Sequence, residues 1–597
     1  MTTEQKAFAV HPNEAFVEAC PGAGKTRTIL ARLAHLAKSL PPRHGIAVLS
    51  FTNKAIEEFK SRSGSVGGPH VLQFPGFIGT FDAFVRHFLF IPTGIEGSAT
   101  KPHVVDSWES LGIEIRLSGA KTFAGPGVSL DRFEPQTNNI DPSALTHRGL
   151  SNHVVRYKTD YENAARYRRT NLNRKGYFSA HDTRVITSQR IHDATLGPAL
   201  GRAIAGRFEE IIVDEAQDCN PLDLDVLAWL RSQGIRVTVV CDMDQSIYGF
   251  RDGERAHLVA FAETYANENR LTLTGNFRSS SAICSLAASL RTRGTPDVPV
   301  GMSATLAHPI LLYAYEARTV SPRIGEWFAS VAAGAPFAIP QSNLIILGHS
   351  ERSACLASGN VSTSVDGQSK IDRLARSLND FWAGTTQYDR VNALTSVERL
   401  LIDVTGQRHE DEPLSSAIER IGINKRILRR QALTLVMRLP RTCADTEADR
   451  NAWVELARET IRSLGFAPPS GQTIRTVISS PRNSEWLRHL SAREVSARIP
   501  YATIHNAKGG EYSAVCVVIP PDDSRRLTTM LFESWASRAE HEPKRVIYVG
   551  VTRAMHLVAL AMPKSFLAQC VAILSGANIP HEVHNESPNT APTRAAI

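Results

Sequence analysis

The fold of this chain is decided by the segment Ala19-Cys20-Pro21-Gly22-Ala23-Gly24-Lys25-Thr26. Apolar residues before it (Ala15-Phe16-Val17) predict a short buried strand, and apolar residues at helical spacing after it predict an amphipathic helix. A strand, a glycine-containing loop and a helix N-terminus together point backbone amides and the positive end of a helix dipole at a phosphate group. The segment therefore predicts a phosphate-binding loop, in which Lys25 contacts the terminal phosphates and the Thr26 hydroxyl holds Mg²⁺.

A second segment, far downstream, ends in paired carboxylates. The run Ile211-Ile212-Val213 predicts a buried parallel strand, and it is followed by Asp214-Glu215-Ala216-Gln217-Asp218. The carboxyl end of such a strand opens on the crevice where α/β sheets bind their ligands. We therefore expect Asp214 to coordinate Mg²⁺ through water and Glu215 to orient or deprotonate an attacking water molecule.

Length and composition limit the class of protein. A chain of 597 residues is too long for one hydrophobic core, so several domains are expected. Its 42% hydrophobic and 21% charged residues are typical of a globular protein. The sequence contains no apolar run near the roughly 20 residues that cross a bilayer, and its start lacks the pattern of a signal peptide. These features predict a cytoplasmic protein without a membrane partner.

Cysteine content and net charge add weaker information. The eight cysteines are scattered without a C-x-x-C pair, which predicts buried small side chains and not a metal site. The formal charge of +8 suits a polyanion such as nucleic acid, because Lys and Arg that neutralise phosphates release counterions. Charge alone does not identify the partner.

Further motifs follow in a fixed order along the chain. They are Gln5, Phe51-Thr52-Asn53-Lys54-Ala55, Gly79-Thr80-Phe81, Asp242-Met243-Asp244-Gln245-Ser246-Ile247-Tyr248-Gly249-Phe250-Arg251, Asn276-Phe277-Arg278-Ser279, Thr503-Ile504-His505-Asn506-Ala507-Lys508-Gly509-Gly510-Glu511-Tyr512 and Tyr548-Val549-Gly550-Val551-Thr552-Arg553-Ala554. Together with the two nucleotide motifs, this series resembles the superfamily 1 helicases of the UvrD/Rep/PcrA family. The resemblance extends from residue 5 to about residue 560.

Four positions depart from the residues usual in that family. Phe250 stands where Trp is usual, Phe277 where Tyr is usual, Asn506 where Ser is usual and Gly510 where Leu is usual. Both phenylalanines keep a stacking face and lose a polar group. The departures concern details of nucleic-acid contact and leave the motor motifs intact.

The resemblance implies an α/β fold class with two RecA-like parallel-sheet P-loop domains, each carrying a mainly helical insertion domain. Residues 1–90 and 190–280 would form the first RecA-like domain (1A), with 91–189 as its insertion (1B). Residues 281–354 and 490–570 would form the second (2A), with 355–489 as its insertion (2B). Residues 571–597 are expected to form a flexible tail, because the chain becomes polar there.

The resemblance also implies that ATP and Mg²⁺ bind between the two RecA-like lobes. The catalytic residues would be Lys25, Asp214, Glu215, Gln245, Arg278 and Arg553, and the Mg²⁺-binding residues would be Thr26 and Asp214. The nucleotide would be held by the loop from Ala19 to Thr26 together with Gln5, Arg27, Phe277 and Glu511. Arg27 and Phe277 would enclose the adenine, Gln5 would contact its edge, and Glu511 would lie near the ribose. Taken alone, Arg27 is also compatible with a solvated helix position, and Phe277 with a core position.

Nucleic-acid contact is implied for a second set of residues. The motifs assign DNA binding to Phe51, Asn53, Thr80, Phe81, Tyr248, Phe250, His505 and Lys508. Aromatic faces would stack on bases and the polar side chains would contact the backbone. Phe81 is also compatible with a core position.

A basic stretch in the first insertion is interleaved with tyrosines and also fits a nucleic-acid surface. Its members are Arg156, Lys158, Arg166, Arg168, Arg169, Arg174 and Lys175, with Tyr157, Tyr161, Tyr167 and Tyr177. A solvated helix face is the alternative interpretation of this stretch.

These motifs favour an ATP-dependent DNA helicase or translocase that moves 3′→5′ on single-stranded DNA and acts at single-strand/duplex junctions. The alternative is a DNA-stimulated NTPase that serves as the sensor subunit of an anti-phage nuclease complex. The compact 2B region resembles the helicase subunit of Gabija-type systems, whose partner is an OLD-family nuclease with a TOPRIM domain. An inactive DNA-binding scaffold is disfavoured, since every catalytic position is filled. RNA as a substrate stays open.

Overall fold

The computed structural model describes most of the chain. The described residues are 1–63, 73–94, 102–105, 107–111, 113–117, 127–145, 148–246, 255–292, 297–316, 319–359, 369–383, 387–407, 414–443, 446–480, 490, 499–522 and 526–586.

The described residues contain eighteen strands. These are β1 (Phe16–Ala19), β2 (Gly45–Ser50), β3 (Phe77–Thr80), β4 (His103–Val105), β5 (Glu114–Ile115), β6 (Val128–Ser129), β7 (Tyr177–Ser179), β8 (Phe208–Asp214), β9 (Arg236–Cys241), β10 (Arg270–Leu273), β11 (Gly275–Asn276), β12 (Val298–Pro299), β13 (Ile310–Tyr315), β14 (Leu344–Gly348), β15 (Tyr501–Thr503), β16 (Tyr512–Val518), β17 (Ala554–Pro563) and β18 (His581–Asn585).

The same residues contain twenty-two α-helices and a π-helical turn at Val85–Phe90. The helices are α1 (Thr3–Ala9), α2 (Lys25–Leu36), α3 (Asn53–Ser63), α4 (Phe81–Phe84), α5 (Arg148–Arg156), α6 (Lys158–Arg174), α7 (Ala180–Ile191), α8 (Leu196–Ala205), α9 (Pro221–Ser232), α10 (Arg255–Glu263), α11 (Ser281–Ser289), α12 (Ile324–Ala333), α13 (Glu351–Ala357), α14 (Lys370–Ala383), α15 (Gln387–Thr405), α16 (Leu414–Ile421), α17 (Lys425–Arg438), α18 (Glu447–Ser463), α19 (Ile474–Val477), α20 (Leu527–Ala536), α21 (Glu542–Val551) and α22 (Lys564–Gly576).

The first lobe is built on a six-stranded parallel sheet in the order β10-β1-β9-β8-β2-β3. Its central strands are apolar on both faces, and Ile211, Ile212 and Val213 of β8 have no exposed surface. Such strands suit a parallel sheet, because helices cover both of its faces. Since the strands run in the same direction, the loops after β1, β2, β3, β8 and β9 all leave one edge of the sheet.

The second lobe is built on a six-stranded parallel sheet in the order β15-β14-β16-β17-β13-β18. Alternate residues of β16 enter opposite cores: Val515 and Val517 pack on one face, and Cys516 and Val518 pack on the other. This alternation follows from the two-residue period of a strand. The prediction of an α/β fold with two parallel-sheet lobes is confirmed.

The chain divides into two compact units. The first comprises residues 1–105, 172–362 and 499–597 and contains both sheets, and the second comprises 106–171 and 363–498. The second unit has its own core, to which α14, α15, α17 and α18 contribute Leu374, Leu401, Leu435 and Trp453. The segment predicted as the second insertion is accordingly helical, with α14 to α19 inside it. Among the described residues, no helix has the length and apolar character needed to cross a membrane.

The structure moves two of the predicted domain boundaries. A boundary after residue 189 falls inside α7, and a boundary after residue 354 falls inside α13. Helix α7 belongs with the first lobe, because its Arg184 forms ion pairs with Asp82 at 2.6 Å and Asp223 at 2.7 Å. The units change over at 105/106, 171/172, 362/363 and 498/499. The assignment of four separate domains stays a prediction.

The predicted flexible tail from residue 571 is wrong for its first part. Helix α22 continues to Gly576, and β18 then adds a parallel edge strand beside β13, with Leu312 opposite Val583. The sequence of β18 is His-Glu-Val-His-Asn, which lacks the apolar run of a central strand. A strand at a sheet edge needs few buried side chains, so its sequence resembles a polar tail.

Candidate active site

The phosphate loop between β1 and α2 depends on two glycines. Gly22 and Gly24 have φ of 71° and 69°, the left-handed region that favours glycine. A Cβ atom at Gly22 would lie 2.5 Å from Asn276 Oδ1 and 2.6 Å from Arg278 Cβ. The loop therefore packs directly against the Asn276–Arg278 segment, and the amide of Phe277 donates to the Gly22 carbonyl at 2.9 Å.

Gln5 lies beneath this loop. Its Nε2 donates to the Ala23 carbonyl at 2.7 Å, and its Oε1 accepts from the Thr2 amide at 2.9 Å. The side chain is 2% exposed. Gln5 therefore supports the loop in this structure, while its contact with the adenine stays a prediction. The other adenine candidates, Arg27 and Phe277, are exposed, with Phe277 at 37%, so the core interpretation of Phe277 is not supported.

Lys25 and Glu215 meet across the site. Lys25 Nζ lies 3.1 Å from Glu215 Oε1. Burial opposes the charge on Lys25, but Glu215, Asp214 and Asp242 outweigh it and raise the pKa of Lys25. Burial likewise opposes ionisation of Glu215, yet Lys25 and Lys508 lower its pKa to about 2. Both groups are therefore charged at neutral pH.

The backbone and a neighbouring amide fix the position of Glu215. Its φ and ψ of 59° and 35° lie in the left-handed region, which is uncommon for a residue with a Cβ and occurs often at functional sites. Gln217 Nε2 donates to Glu215 Oε2, while Gln217 Oε1 accepts from the Asp242 amide at 3.0 Å. Sequence reasoning assigned no role to Gln217. The feature that could have indicated its role is its position two residues after Glu215, within the same turn.

Two oxygen ligands suit Mg²⁺ at this point. Thr26 is half-buried, and its hydroxyl makes no hydrogen bond within the described part of the chain, so it is available to a ligand. Asp214 is 3% exposed, and its Oδ1 accepts from the Glu215 amide at 3.0 Å. A hydroxyl and a carboxylate are ligands of the type Mg²⁺ prefers, together with phosphate oxygens and water. These residues fit the predicted ion.

Arg553 joins the second lobe to this site. It follows α21, and its Nη2 donates to Gln245 Oε1 at 2.8 Å, while its Nε donates to the Val549 carbonyl at 3.0 Å. Burial, followed by repulsion from Arg278, lowers the pKa of Arg553 to about 10, so it is still charged at neutral pH. The structure thus brings the predicted residues Gln245 and Arg553 together across the two lobes.

Arg278 and Glu511 form a second ion pair. Arg278 Nη2 lies 2.6 Å from Glu511 Oε1, and Arg278 Nη1 donates to the Thr552 carbonyl at 2.8 Å. Burial disfavours the charged form of Glu511, but Arg278 outweighs this effect and lowers the pKa of Glu511. The proximity of these two residues was not predicted. Their roles at the γ-phosphate and the ribose stay predictions.

The structure contradicts the predicted position of Lys508. Its Nζ lies 2.5 and 2.6 Å from the two Asp218 oxygens, and the side chains of Lys508 and Asp218 are 6% and 1% exposed. A DNA phosphate has no access to an ammonium group buried in this way. The motif pattern placed Lys508 in a DNA-contact segment but did not reveal that Asp218, at the end of the carboxylate motif, is its partner.

Phe51 and Phe81 are stacked, with ring centroids 5.5 Å apart and planes 11° apart. Phe81 is 1% exposed and belongs to the core of the first lobe, whereas Phe51 is half-buried. The prediction that Phe81 stacks on a base is corrected, because its ring presents no exposed face. Tyr248 and Phe250 lie outside the described residues.

Substitution of the two rings should separate these roles. Phe51→Ala is expected to lower single-stranded DNA affinity by about 1–3 kcal/mol, the contribution typical of one stacked base. Phe81→Ala should instead lower the free energy of unfolding by about 3–5 kcal/mol, the usual effect of removing a core phenylalanine. Fluorescence anisotropy with labelled DNA and denaturant unfolding measure the two effects. Unchanged DNA affinity in a folded Phe51→Ala variant would remove Phe51 from the DNA surface.

The polar DNA candidates lie at element ends. Asn53 is exposed at the start of α3, and Thr80 caps α4 by accepting from the Ala83 amide at 3.1 Å. His505 is half-buried, with its ring 6.2 Å from that of His349. All three stay predictions as DNA contacts.

The basic, tyrosine-rich stretch is partly structural. Arg169 is 5% exposed and donates to the carbonyls of Leu130, Phe133 and Glu134, and Tyr161 is 3% exposed. These two residues are therefore not surface groups, which corrects the prediction for them. Tyr167, at 73%, is exposed.

The eight cysteines are all buried and free, as the composition predicts. Within the described ranges, no three His, Cys, Asp or Glu side chains cluster as a metal site would require.

Two parallel-sheet lobes, a phosphate loop on the first and an arginine of the second bonded to the first define a two-lobe P-loop protein of RecA-like type. Comparison with known proteins agrees. Residues 1–105 and 128–266 match the UvrD/REP helicase N-terminal domain. Over these residues the chain is therefore similar to the UvrD/Rep/PcrA helicases of superfamily 1.

Individual relatives differ in how much of each chain aligns. DNA helicase II of Escherichia coli is 26% identical over 629 residues, covering 93% of this chain and 83% of the relative. The ATP-dependent DNA helicase PcrA of Staphylococcus aureus is 26% identical over 332 residues, 53% of this chain and 43% of PcrA. The putative ATP-dependent DNA helicase YjcD of Bacillus subtilis is 25% identical, and the alignment covers 57% of this chain and 45% of YjcD. The alignments thus span less than half of PcrA and YjcD.

Proposed function

We propose that this chain is an ATP-dependent DNA helicase that moves 3′→5′ on single-stranded DNA. The observation that carries the proposal is the Arg553–Gln245 hydrogen bond of 2.8 Å, because it joins the second lobe to the first beside the Lys25–Glu215 pair. A residue required from the opposite lobe couples hydrolysis to closure of the cleft. Relatives named as ATP-dependent DNA helicases support the choice of substrate.

The side chains divide the hydrolysis of ATP among them. Glu215 holds the water that attacks the γ-phosphorus and accepts its proton as the bond to the ADP oxygen breaks. Lys25 exchanges its contact with Glu215 for the phosphate oxygens, and Arg553 neutralises the charge that develops on them. Mg²⁺, held by Thr26 and Asp214, supplies further charge neutralisation when bound.

The Lys508–Asp218 pair offers a route from DNA to this chemistry. Lys508 follows His505, which is a DNA-contact candidate by its motif position, and Asp218 ends the turn that begins with Glu215. A buried ion pair that loses one partner leaves an uncompensated charge, so the two segments are expected to move together. DNA binding near His505 would then shift the turn that holds Glu215.

Strand displacement on three duplexes of equal length tests the proposal: blunt, 3′-tailed and 5′-tailed. We expect ATP hydrolysis to be stimulated by single-stranded DNA, and the 3′-tailed duplex to be unwound in preference to the other two. We expect poor unwinding of the blunt duplex because the small 355–489 insertion offers less surface for gripping a duplex, and each missing phosphate contact lowers the salt slope of duplex affinity by nearly one unit.

Each outcome of this assay has a separate meaning. A preference for the 5′ tail would contradict the proposed direction of movement. DNA-stimulated hydrolysis without displacement of any substrate would favour the sensor subunit of a nuclease complex over the helicase. A pull-down with the purified chain would then identify the nuclease partner.

A further inference from the structure

A buried tyrosine hydroxyl, outside the predicted site residues, links the two lobes. Tyr548 lies on α21 of the second lobe and is 1% exposed. Its hydroxyl donates to Asp242 Oδ2 of the first lobe at 3.2 Å and accepts from Arg291 Nε at 3.1 Å. Arg291 in turn donates to Asp297 Oδ2 at 2.7 Å. The hydroxyl therefore lies between the Arg291 guanidinium, which Asp297 fixes in place, and the Asp242 carboxylate of the opposite lobe.

Asp242 Oδ2 also connects Tyr548, through Gln245, to Arg553 by a series of hydrogen bonds. Asp242 Oδ2 also accepts from Gln245 Nε2 at 2.8 Å, and Gln245 Oε1 accepts from Arg553 Nη2 at 2.8 Å. The second oxygen, Asp242 Oδ1, accepts from the Asp244 amide at 3.1 Å. Asp242 thus fixes the loop after β9 and the amide group that holds Arg553.

The chemistry of these donors and acceptors allows each hydrogen bond in this series only one donor-to-acceptor direction. Arg291 and Arg553 only donate, and the carboxylate oxygens of Asp242 only accept, so the Tyr548 hydroxyl must donate to Asp242. For the same reason the Gln245 amide must present its nitrogen to Asp242 and its oxygen to Arg553. A chain of bonds in one orientation and away from water is stiff, because each bond polarises the next.

We propose that Tyr548 is a positioning residue that aligns Gln245 with Arg553 when the lobes close on ATP. Helix α21 carries Tyr548 and leads into Arg553, whose Nε is bonded to the Val549 carbonyl at 3.0 Å. The helix therefore contacts the first lobe twice, through the hydroxyl and through the guanidinium. Two contacts fix the orientation of α21 relative to the first lobe, whereas a single contact would let the helix rotate about that contact. This inference rests on the proposed function, since it concerns the same hydrolysis reaction.

Tyr548→Phe tests the proposal, because it removes the hydroxyl and keeps the ring on which the Arg291 guanidinium stacks at 5.2 Å. A lost bond to a charged partner predicts a fall of about 10- to 100-fold in the DNA-stimulated kcat for ATP. The KM for ATP should change less than about threefold, because the affected groups hold no part of the ground-state nucleotide.

Tyr315→Phe is the matched control. Tyr315 is also fully buried in the second lobe, and its hydroxyl donates to the Ile519 carbonyl of the same lobe at 2.7 Å. Both variants should lose similar thermal stability, while only Tyr548→Phe loses kcat. Equal kcat in the two variants would overturn the proposal. If Tyr548→Phe fails to fold, Arg291→Lys carries the test, since it keeps the charge and loses the planar geometry that reaches both partners.

A double variant separates positioning from a general structural effect. If Tyr548 acts through Gln245, Tyr548→Phe combined with Gln245→Ala should be no slower than Gln245→Ala alone. Multiplicative losses would overturn the proposed route. A wild-type protein without ATPase activity would contradict the proposed function and this inference together. A wild-type kcat retained in Tyr548→Phe would contradict the inference alone.

Discussion

Glu215→Gln is expected to reduce DNA-stimulated ATP hydrolysis by about 10²- to 10⁴-fold, the usual contribution of a positioned general base. The glutamine keeps the shape of the side chain and still accepts a hydrogen bond from Gln217, so the left-handed turn at residue 215 should persist. It cannot accept the proton of the attacking water. ATP binding should be equal or tighter, because Lys25 no longer has to leave an ionised partner 3.1 Å away.

Two measurements check this result: the steady-state ATPase rate on single-stranded DNA, and titration with a fluorescent ATP analogue. Glu209→Gln is the matched control, since Glu209 lies at the start of the same strand and pairs with Arg236 at 3.0 Å, away from the phosphate loop. It should hydrolyse ATP at the wild-type rate. A Glu215→Gln rate within tenfold of wild type would show that another group activates the water.

Much of the fold was predictable because its signals are local. The phosphate loop needs glycine at fixed positions, and the strand before Asp214 is a continuous apolar run. Both features follow from neighbouring residues. The grouping of Lys25, Glu215 and Gln245 in one site came from the family resemblance, and it is consistent with a parallel sheet, whose strands end together.

The errors arose where partners are distant in sequence. Lys508 is bound by Asp218, which lies 290 residues away, and neither residue carries a local sign of the other. Phe81 appears in an exposed motif by resemblance, yet its ring is needed to complete the core beneath Phe51. The edge strand β18 is polar and could not be distinguished from a tail until β13 was in place beside it.

Arg553→Ala should have the largest effect, a fall of about 10³- to 10⁵-fold in kcat, which is the contribution of a charge-stabilising arginine in related NTPases. This corresponds to roughly 4–7 kcal/mol of the activation barrier. The residue is 3% exposed, and its guanidinium bonds Gln245, Val549 and Thr552. Its removal therefore also leaves buried acceptors without a donor, so some thermal stability should be lost with the activity.

Arg553→Lys distinguishes the two effects. It restores a positive charge, but an ammonium group cannot bond the Gln245 amide and the Val549 carbonyl with the geometry of a planar guanidinium. We expect its thermal stability to lie nearer wild type than that of Arg553→Ala, while its kcat stays at least about 100-fold reduced. Arg545→Ala is the control on the same helix, since Arg545 pairs with Glu540 at 2.8 Å near the helix start. It should leave kcat within a few-fold of wild type.

The affinity for nucleotide decides the role of Arg553. If its contribution belongs to the transition state, the ATP analogue should bind Arg553→Ala nearly as tightly as wild type, and kcat alone should fall. A folded Arg553→Ala variant with weak nucleotide binding and a preserved kcat at saturating ATP would place Arg553 in ground-state binding. In that case hydrolysis would not require Arg553, and the coupling of the reaction to closure of the cleft would have to pass through Arg278 instead, which Glu511 of the second lobe holds at 2.6 Å.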